Sequence, residues 1–214
     1  MRGIAVIGGA GPEPARCKAL VRGADILVAA DSGLILAEQA GLKPDWIVGD
    51  MDSLDDLQRL EAYPPPRILR YPRDKDRTDT ELALALLWEK GCAETWLIGG
   101  GSGRMDHLFA IQALFEREPR PHRWFTGKED IHCLNAQEPL ALRLHPGALL
   151  SIFPLGSGPW EVRSQGLKWP LEGLAWERGF CGLSNVLLDA EVSLFAEAGR
   201  FLVILPQEFG FTHH

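Results

Sequence analysis

Residues 71–79 read Tyr-Pro-Arg-Asp-Lys-Asp-Arg-Thr-Asp, and the rest of the chain is organised around them. Three carboxylates (Asp74, Asp76, Asp79) and three cations (Arg73, Lys75, Arg77) fall within this one stretch. The apolar pair Ile68-Leu69 just before it reads as a strand end, and Pro72 drives the chain out of that strand. Thr78 followed three residues later by Glu81 fits a capping box, which predicts a helix running to about Lys90 with Asp79 in its first turn. Charges of both signs therefore meet at a strand-to-helix turn, where parallel α/β sheets place their ligands.

Working outward, the first half of the chain alternates strand and helix. Residues 4–7, 26–30, 46–48, 68–69 and 95–98 read as strands. Residues 15–21, 34–40, 54–62, 79–90 and 108–115 read as helices, with Gly41 and Gly91 as C-terminal caps. This order predicts a mostly parallel, three-layer α/β/α domain over residues 1–126. Beyond Arg123 no helical period is sustained. Short apolar runs near residues 140–144, 149–153, 161–163, 186–188, 192–195 and 201–205 are punctuated by Gly and Pro. They predict an all-β domain, sandwich or barrel-like, over residues 131–214.

Composition narrows the function classes. The 214 residues carry a formal net charge of -7, with 46% hydrophobic and 24% charged residues, which is ordinary for a globular protein. An acidic balance argues against non-specific binding to nucleic acid or to an anionic membrane. Cys17, Cys92, Cys133 and Cys181 are far apart with no C-x-x-C pair, so a disulfide framework is not expected and a reducing cytoplasm is. No apolar run approaches the roughly 20 residues of a membrane helix. The terminal pair His213-His214 is assigned no role.

The acidic turns of the first half share a location. Asp31 follows the strand at 26–30, Asp50 and Asp52 follow 46–48, Asp74, Asp76 and Asp79 follow 68–69, and Asp106 follows 95–98. In a parallel sheet these strand ends open on one edge, so the carboxylates are expected to converge on one crevice. Clustered carboxylates repel unless a cation is present, and Mg²⁺ bridging carboxylates to substrate phosphates is the fitting partner. The glycine-rich run at 99–103 precedes a helix but lacks the Lys-Ser/Thr of a P-loop.

Read together, A-D-S-G (30–33), P-D-W-I-V-G-D-M-D-S (44–53), D-K-D-R-T-D (74–79) and G-G-S-G-R-M-D-H (100–107) resemble the ordered motifs of the thiamine pyrophosphokinases. In the β half, G-L-K-W-P-L (166–171) and L-S-N (183–185) resemble the marks of that family's thiamine-binding domain. The resemblance spans nearly the whole chain. Ser32, Leu34 and Met51 depart from common family choices, and no carboxylate is lost.

The resemblance implies transfer of a pyrophosphoryl group from ATP to the hydroxyethyl oxygen of thiamine, giving thiamine diphosphate and AMP. It implies Mg²⁺, an ATP-binding N-terminal domain, a thiamine-binding C-terminal domain, and a homodimer with the site between subunits. Carried over residue by residue, Asp50, Asp52 and Asp76 hold metal, and Lys75 and Arg104 meet phosphate oxygens. Thr78 and Asp79 fix the polyphosphate or the attacking hydroxyl, and Asp31, Ser53, Asp106 and His107 lie on the ATP side. Trp169 stacks on the cationic ring, with Ser184 and Asn185 as polar anchors; the competing reading makes Trp169 a core residue. A pyrophosphokinase for another heterocyclic alcohol such as a pterin, a Mg²⁺-dependent phosphohydrolase, and a non-catalytic nucleotide or thiamine sensor are the alternatives.

Overall fold

In the computed structural model residues 1–207 are described; His213 and His214 lie outside them. The chain divides into two compact units, one of residues 1–114 with 119–127, the other of residues 115–118 with the chain from Lys128 onward.

The first unit is built on six parallel strands: β1 (Arg2–Val6), β2 (Ile26–Ala30), β3 (Trp46–Gly49), β4 (Ile68–Arg70), β5 (Glu94–Ile98) and β6 (Arg123–Phe125). Their spatial order is β6-β5-β1-β2-β3-β4, every pairing parallel. Side chains alternate across such a sheet. Ile4 and Val6 of β1 join Cys17 of helix α1 (Pro14–Val21) and Ala37 of helix α2 (Gly33–Gln39) in one buried cluster. Gly3 faces the other way: a Cβ there would lie 2.6 Å from Leu87 of helix α3 (Asp79–Glu89). Helices thus cover both faces, and strands such as Ile26-Leu27-Val28-Ala29-Ala30 are apolar throughout because neither face meets water.

The helix ends follow from local sequence. α3 starts with a complete capping box: Thr78 Oγ1 accepts the Glu81 N–H at 3.2 Å, and Glu81 Oε2 accepts the Thr78 N–H at 2.8 Å. α2 ends in a Schellman motif, Leu42 N–H to Ala37 O at 2.9 Å and Gly41 N–H to Glu38 O at 2.8 Å, with Gly41 at φ +63°. Helix α4 (Met105–Leu114) begins three residues earlier than its apolar spacing predicts, which brings Asp106 into its first turn. The helix expected over 54–62 is a 3₁₀ helix, Leu57–Ala62. Asp56 caps it by accepting the Gln58 N–H at 2.8 Å, and after Tyr63 the prolines form a separate single 3₁₀ turn, Pro65–Arg67.

Among the described residues the second unit contains seven strands. β7 (Glu129–Asn135), β9 (Leu149–Leu155), β11 (Gly182–Val186) and β13 (Arg200–Pro206) pair antiparallel in the order β11-β9-β13-β7. β8 (Leu140–Arg143), β10 (Glu161–Gln165) and β12 (Glu191–Ala198) form a separate antiparallel sheet, β10-β12-β8. Leu150, Ile152, Phe201 and Val203 from the first sheet and Val162, Val192 and Leu194 from the second share one buried core, the packing of a β-sandwich. The strand expected at 186–188 lies mostly earlier, as β11, and Leu187 only bridges to Leu167.

Candidate active site

Three strand ends of the first unit supply the chemistry. β2 runs into Asp31, β3 into Asp50, and β4 into the stretch that carries Lys75 and leads to Asp79 at the head of α3. Asp31, Asp50 and Asp79 each offer a carboxylate oxygen within 4.8 Å of the others. Asp31 is buried and sits at φ +46°, a left-handed conformation that a non-glycine residue adopts only at some cost. Gly49, at φ +141°, leaves room for this approach: a Cβ there would lie 3.1 Å from Asp79 Oδ1 and 3.2 Å from Asp31 Cβ.

One lysine holds the cluster together. Lys75 Nζ donates to Asp50 Oδ2 at 2.8 Å and lies 3.3 Å from Asp79 Oδ1. The hydrogen bond from Lys75 holds the Asp50 carboxyl below its usual range. Burial pushes Asp79 up, and the charges of Asp50 and Asp31 add to it against the pull of Lys75. For Lys75, burial opposes the charge, but Asp50 and Asp79 outweigh it and raise its pKa.

One cation against three carboxylates leaves the cluster short of positive charge. Asp31 Oδ1 and Asp79 Oδ1 are both buried without a well-directed hydrogen bond, the state in which a carboxylate oxygen can ligate a cation. The donors are all hard oxygens, the set that suits a divalent ion such as Mg²⁺.

The remaining residues singled out in the sequence fall in distinct places. Asp52 lies beside the cluster but outside it: its N–H donates to Asp50 Oδ1 at 3.2 Å, Ser53 Oγ donates to its Oδ1 at 3.1 Å, and Arg73 Nε is 3.4 Å from its Oδ2. Asp76 is exposed and not among the three grouped carboxylates. The Thr78 hydroxyl donates to Glu81 Oε2 at 2.9 Å and serves the cap. Arg104 binds Asp106 through two contacts, 2.5 and 3.1 Å, on an exposed surface, and the His107 N–H donates to the same carboxylate at 3.1 Å. That pairing raises the Arg104 pKa and lowers that of Asp106.

In the second unit Trp169 is 52% exposed, so it is not a core tryptophan. Asn185, by contrast, is buried and committed to the backbone that presents that indole. Its Oδ1 accepts the Trp169 N–H at 3.2 Å and the Val186 N–H at 2.8 Å, while its Nδ2 donates to Trp169 O at 2.6 Å. Ser184 is exposed, at φ +54°, with its N–H on Ser151 Oγ at 3.1 Å.

Two family models match this chain in sequence order: the thiamin pyrophosphokinase catalytic domain over residues 17–122, and the thiamin pyrophosphokinase vitamin B1 binding domain over residues 132–199. The chain belongs to the thiamin pyrophosphokinase family. It is 25% identical over 183 residues to thiamine pyrophosphokinase of Bacillus subtilis (strain 168), spanning 83% of this chain and 85% of the relative. Its fold resembles the crystal structure of a thiamin pyrophosphokinase family protein from Enterococcus faecalis, with 26% identity, a TM-score of 0.77, and coverage of 97% of this chain and 100% of that one. It also resembles that of thiamin pyrophosphokinase from Geobacillus thermodenitrificans, with 24% identity, a TM-score of 0.77, and coverage of 98% and 99%. The carboxylate cluster falls inside the segment matched by the catalytic model, and Trp169 and Asn185 fall inside the vitamin B1 segment.

Sequence reasoning placed Asp31 on the nucleotide side rather than among metal ligands, and did not single out Gly49. A signal existed for both. Each stands at a strand end followed by a small or acidic residue, but the close approach of β2, β3 and α3 is a tertiary fact that spacing alone does not carry.

Proposed function

We propose that the chain transfers a pyrophosphoryl group from ATP to thiamine, giving thiamine diphosphate and AMP. The observation that carries this reading is the Asp31–Asp50–Asp79 group with Lys75 at its centre, in a chain of this family. The thiamine hydroxyethyl oxygen attacks the β-phosphorus of ATP. The bond from that phosphorus to the α,β-bridging oxygen breaks, AMP leaves with the oxygen, and the hydroxyl proton is lost. Such a transfer needs charge neutralisation and in-line alignment more than covalent help from the protein.

Each side chain then has a task. Asp31, Asp50 and Asp79 would hold Mg²⁺, with Asp52 close enough to join through water or movement; the ion supplies charge neutralisation at the polyphosphate. Lys75 keeps Asp50 ionised and offers N–H donors to a phosphate oxygen. Arg104, preset by Asp106, presents a planar fork to the polyphosphate, with His107 on the same turn and Ser53 beside Asp52 as further polar contacts. Asp76 and Thr78 act through the turn that aims Lys75 and Asp79. The exposed indole of Trp169 stacks on the thiazolium cation, with Asn185 fixing its backbone and Ser184 on the same strand.

We further infer a homodimer with the reacting groups of one subunit completed by the other, working in the cytoplasm. Exposed apolar side chains of the second unit, among them Leu183, Leu188 and Phe195, support an assembly surface, and four free cysteines support a reducing compartment. Sedimentation is expected to give twice 23.6 kDa; a fully active monomer would contradict the shared site. The reaction itself is tested by separating the products of ATP, Mg²⁺ and thiamine. AMP and thiamine diphosphate are expected in equal amounts, and AMP release without thiamine, or ADP with thiamine monophosphate, would overturn it.

A further inference from the structure

The indole proposed to receive thiamine already has a cation over it. Lys168 Nζ lies 4.7 Å from the centroid of the Trp169 ring. Lys168 and Trp169 are both exposed, and no carboxylate pairs with that ammonium among the described residues. Glu172, the next acid along this loop, accepts the Ser164 N–H at 2.7 Å and its hydroxyl at 3.3 Å.

The backbone beneath the pair is pinned. Lys168 N–H donates to Val186 O at 2.8 Å, Leu188 N–H to Gly166 O at 2.8 Å, and Asn185 binds both the N–H and the C=O of Trp169. Lys168 and Trp169 both lie in a bend of the chain, and the lysine stem folds over the adjoining indole. The indole quadrupole attracts the ammonium where no acid competes for it.

We propose that Lys168 is an internal competitor for the cationic ring of thiamine: it occupies the Trp169 face in the free protein and must leave, or tolerate a like charge beside it, when the substrate binds. This rests on the reading of Trp169 as the thiamine platform. Lys168 thereby sets thiamine affinity below what the indole alone would give. Both parts, the cation–π contact and the like-charge repulsion, act in the same direction. The repulsion is screened by salt.

The test is calorimetric titration of thiamine into the full-length wild type and into Lys168→Met, Lys168→Arg and Trp169→Ala, each with a thermal melt. Lys168→Met keeps the stem and removes the charge. It is expected to bind thiamine about two- to fivefold more tightly, the weight of an exposed cation–π contact. The gain is expected to shrink as salt rises, and Lys168→Arg is expected to bind like wild type. Lys168→Gln carries the same expectation if the methionine variant does not fold. Unchanged or weaker binding by the neutral variants, with Trp169→Ala clearly weakened, overturns the competitor role alone. Wild-type binding by Trp169→Ala overturns the platform reading and this inference with it.

Discussion

Lys75 donates to Asp50 at 2.8 Å, a bond between a residue four positions ahead of helix α3 and one just past the end of strand β3. This single contact ties two turns together and favours the ionised form of Asp50. Asp50→Asn removes a balancing negative charge at nearly constant volume. Turnover is expected to fall by at least about 100-fold. Steady-state assays at saturating ATP and thiamine check this, and near-normal turnover at low Mg²⁺ would remove Asp50 from the site.

Asp79 is the unstable member of the set. Burial and two neighbouring carboxylates raise its pKa in the folded chain, so the folded state binds its proton more tightly than the unfolded state does. Its contribution to stability is therefore present below the unfolded carboxylate range and lost as pH rises through the raised value. In metal-free protein near neutral pH, Asp79→Asn is expected to raise the melting temperature while activity falls steeply. The gain is expected to vanish in acid, where the wild-type carboxyl is itself protonated. Asp50 runs oppositely. Its lowered pKa gives stability above the carboxylate range that is lost as pH falls. Paired melts of the two variants across pH, with a chelator present, separate these signs.

The strand-helix alternation, the capping box and the parallel sheet were legible in the chain, since buried β strands read as apolar runs and Thr78 with Glu81 has few other uses. Two strands were not. β6 has only three residues, and β7 opens with Glu129 and Asp130, which breaks the apolar signal at its start. The acidic turns were legible as a set, but which carboxylates meet was not. Asp52 and Asp76 sit in the same motifs as Asp50 and Lys75, yet they point to a more exposed part of the turn, a matter of local backbone rather than spacing. Asn185 was legible as important, but its task as a backbone clamp appears only once Trp169 is placed beside it.

Gly49 tests whether the cluster depends on close approach. Gly49→Ala adds one methyl group at φ +141°, about where Asp31 and Asp79 meet, and alters no charge. Activity is expected to fall about tenfold or more, with the KM for thiamine less affected than kcat. A fully active Gly49→Ala protein would show that the carboxylates need not gather this closely.

The Trp169 platform separates chemistry from packing. Trp169→Ala is expected to raise the KM for thiamine about tenfold and leave that for ATP unchanged, with Trp169→Phe recovering most of the loss. Because the indole is half exposed, the melting temperature is expected to hold. Asn185→Ala is expected to raise the same KM but also to cost about 1–3 kcal/mol, since it strands buried peptide groups. A sharp melt loss in Trp169→Ala with normal thiamine binding would make the ring structural.

The cluster's ability to hold a divalent ion is tested most directly by titrating Mn²⁺, as a paramagnetic stand-in for Mg²⁺, into the protein with a non-hydrolysable ATP analogue and following free Mn²⁺ by electron paramagnetic resonance. The wild type is expected to take up the ion, and Asp31→Asn, Asp50→Asn and Asp79→Asn each to weaken that uptake about tenfold or more. Wild-type uptake by all three folded variants would contradict the assignment.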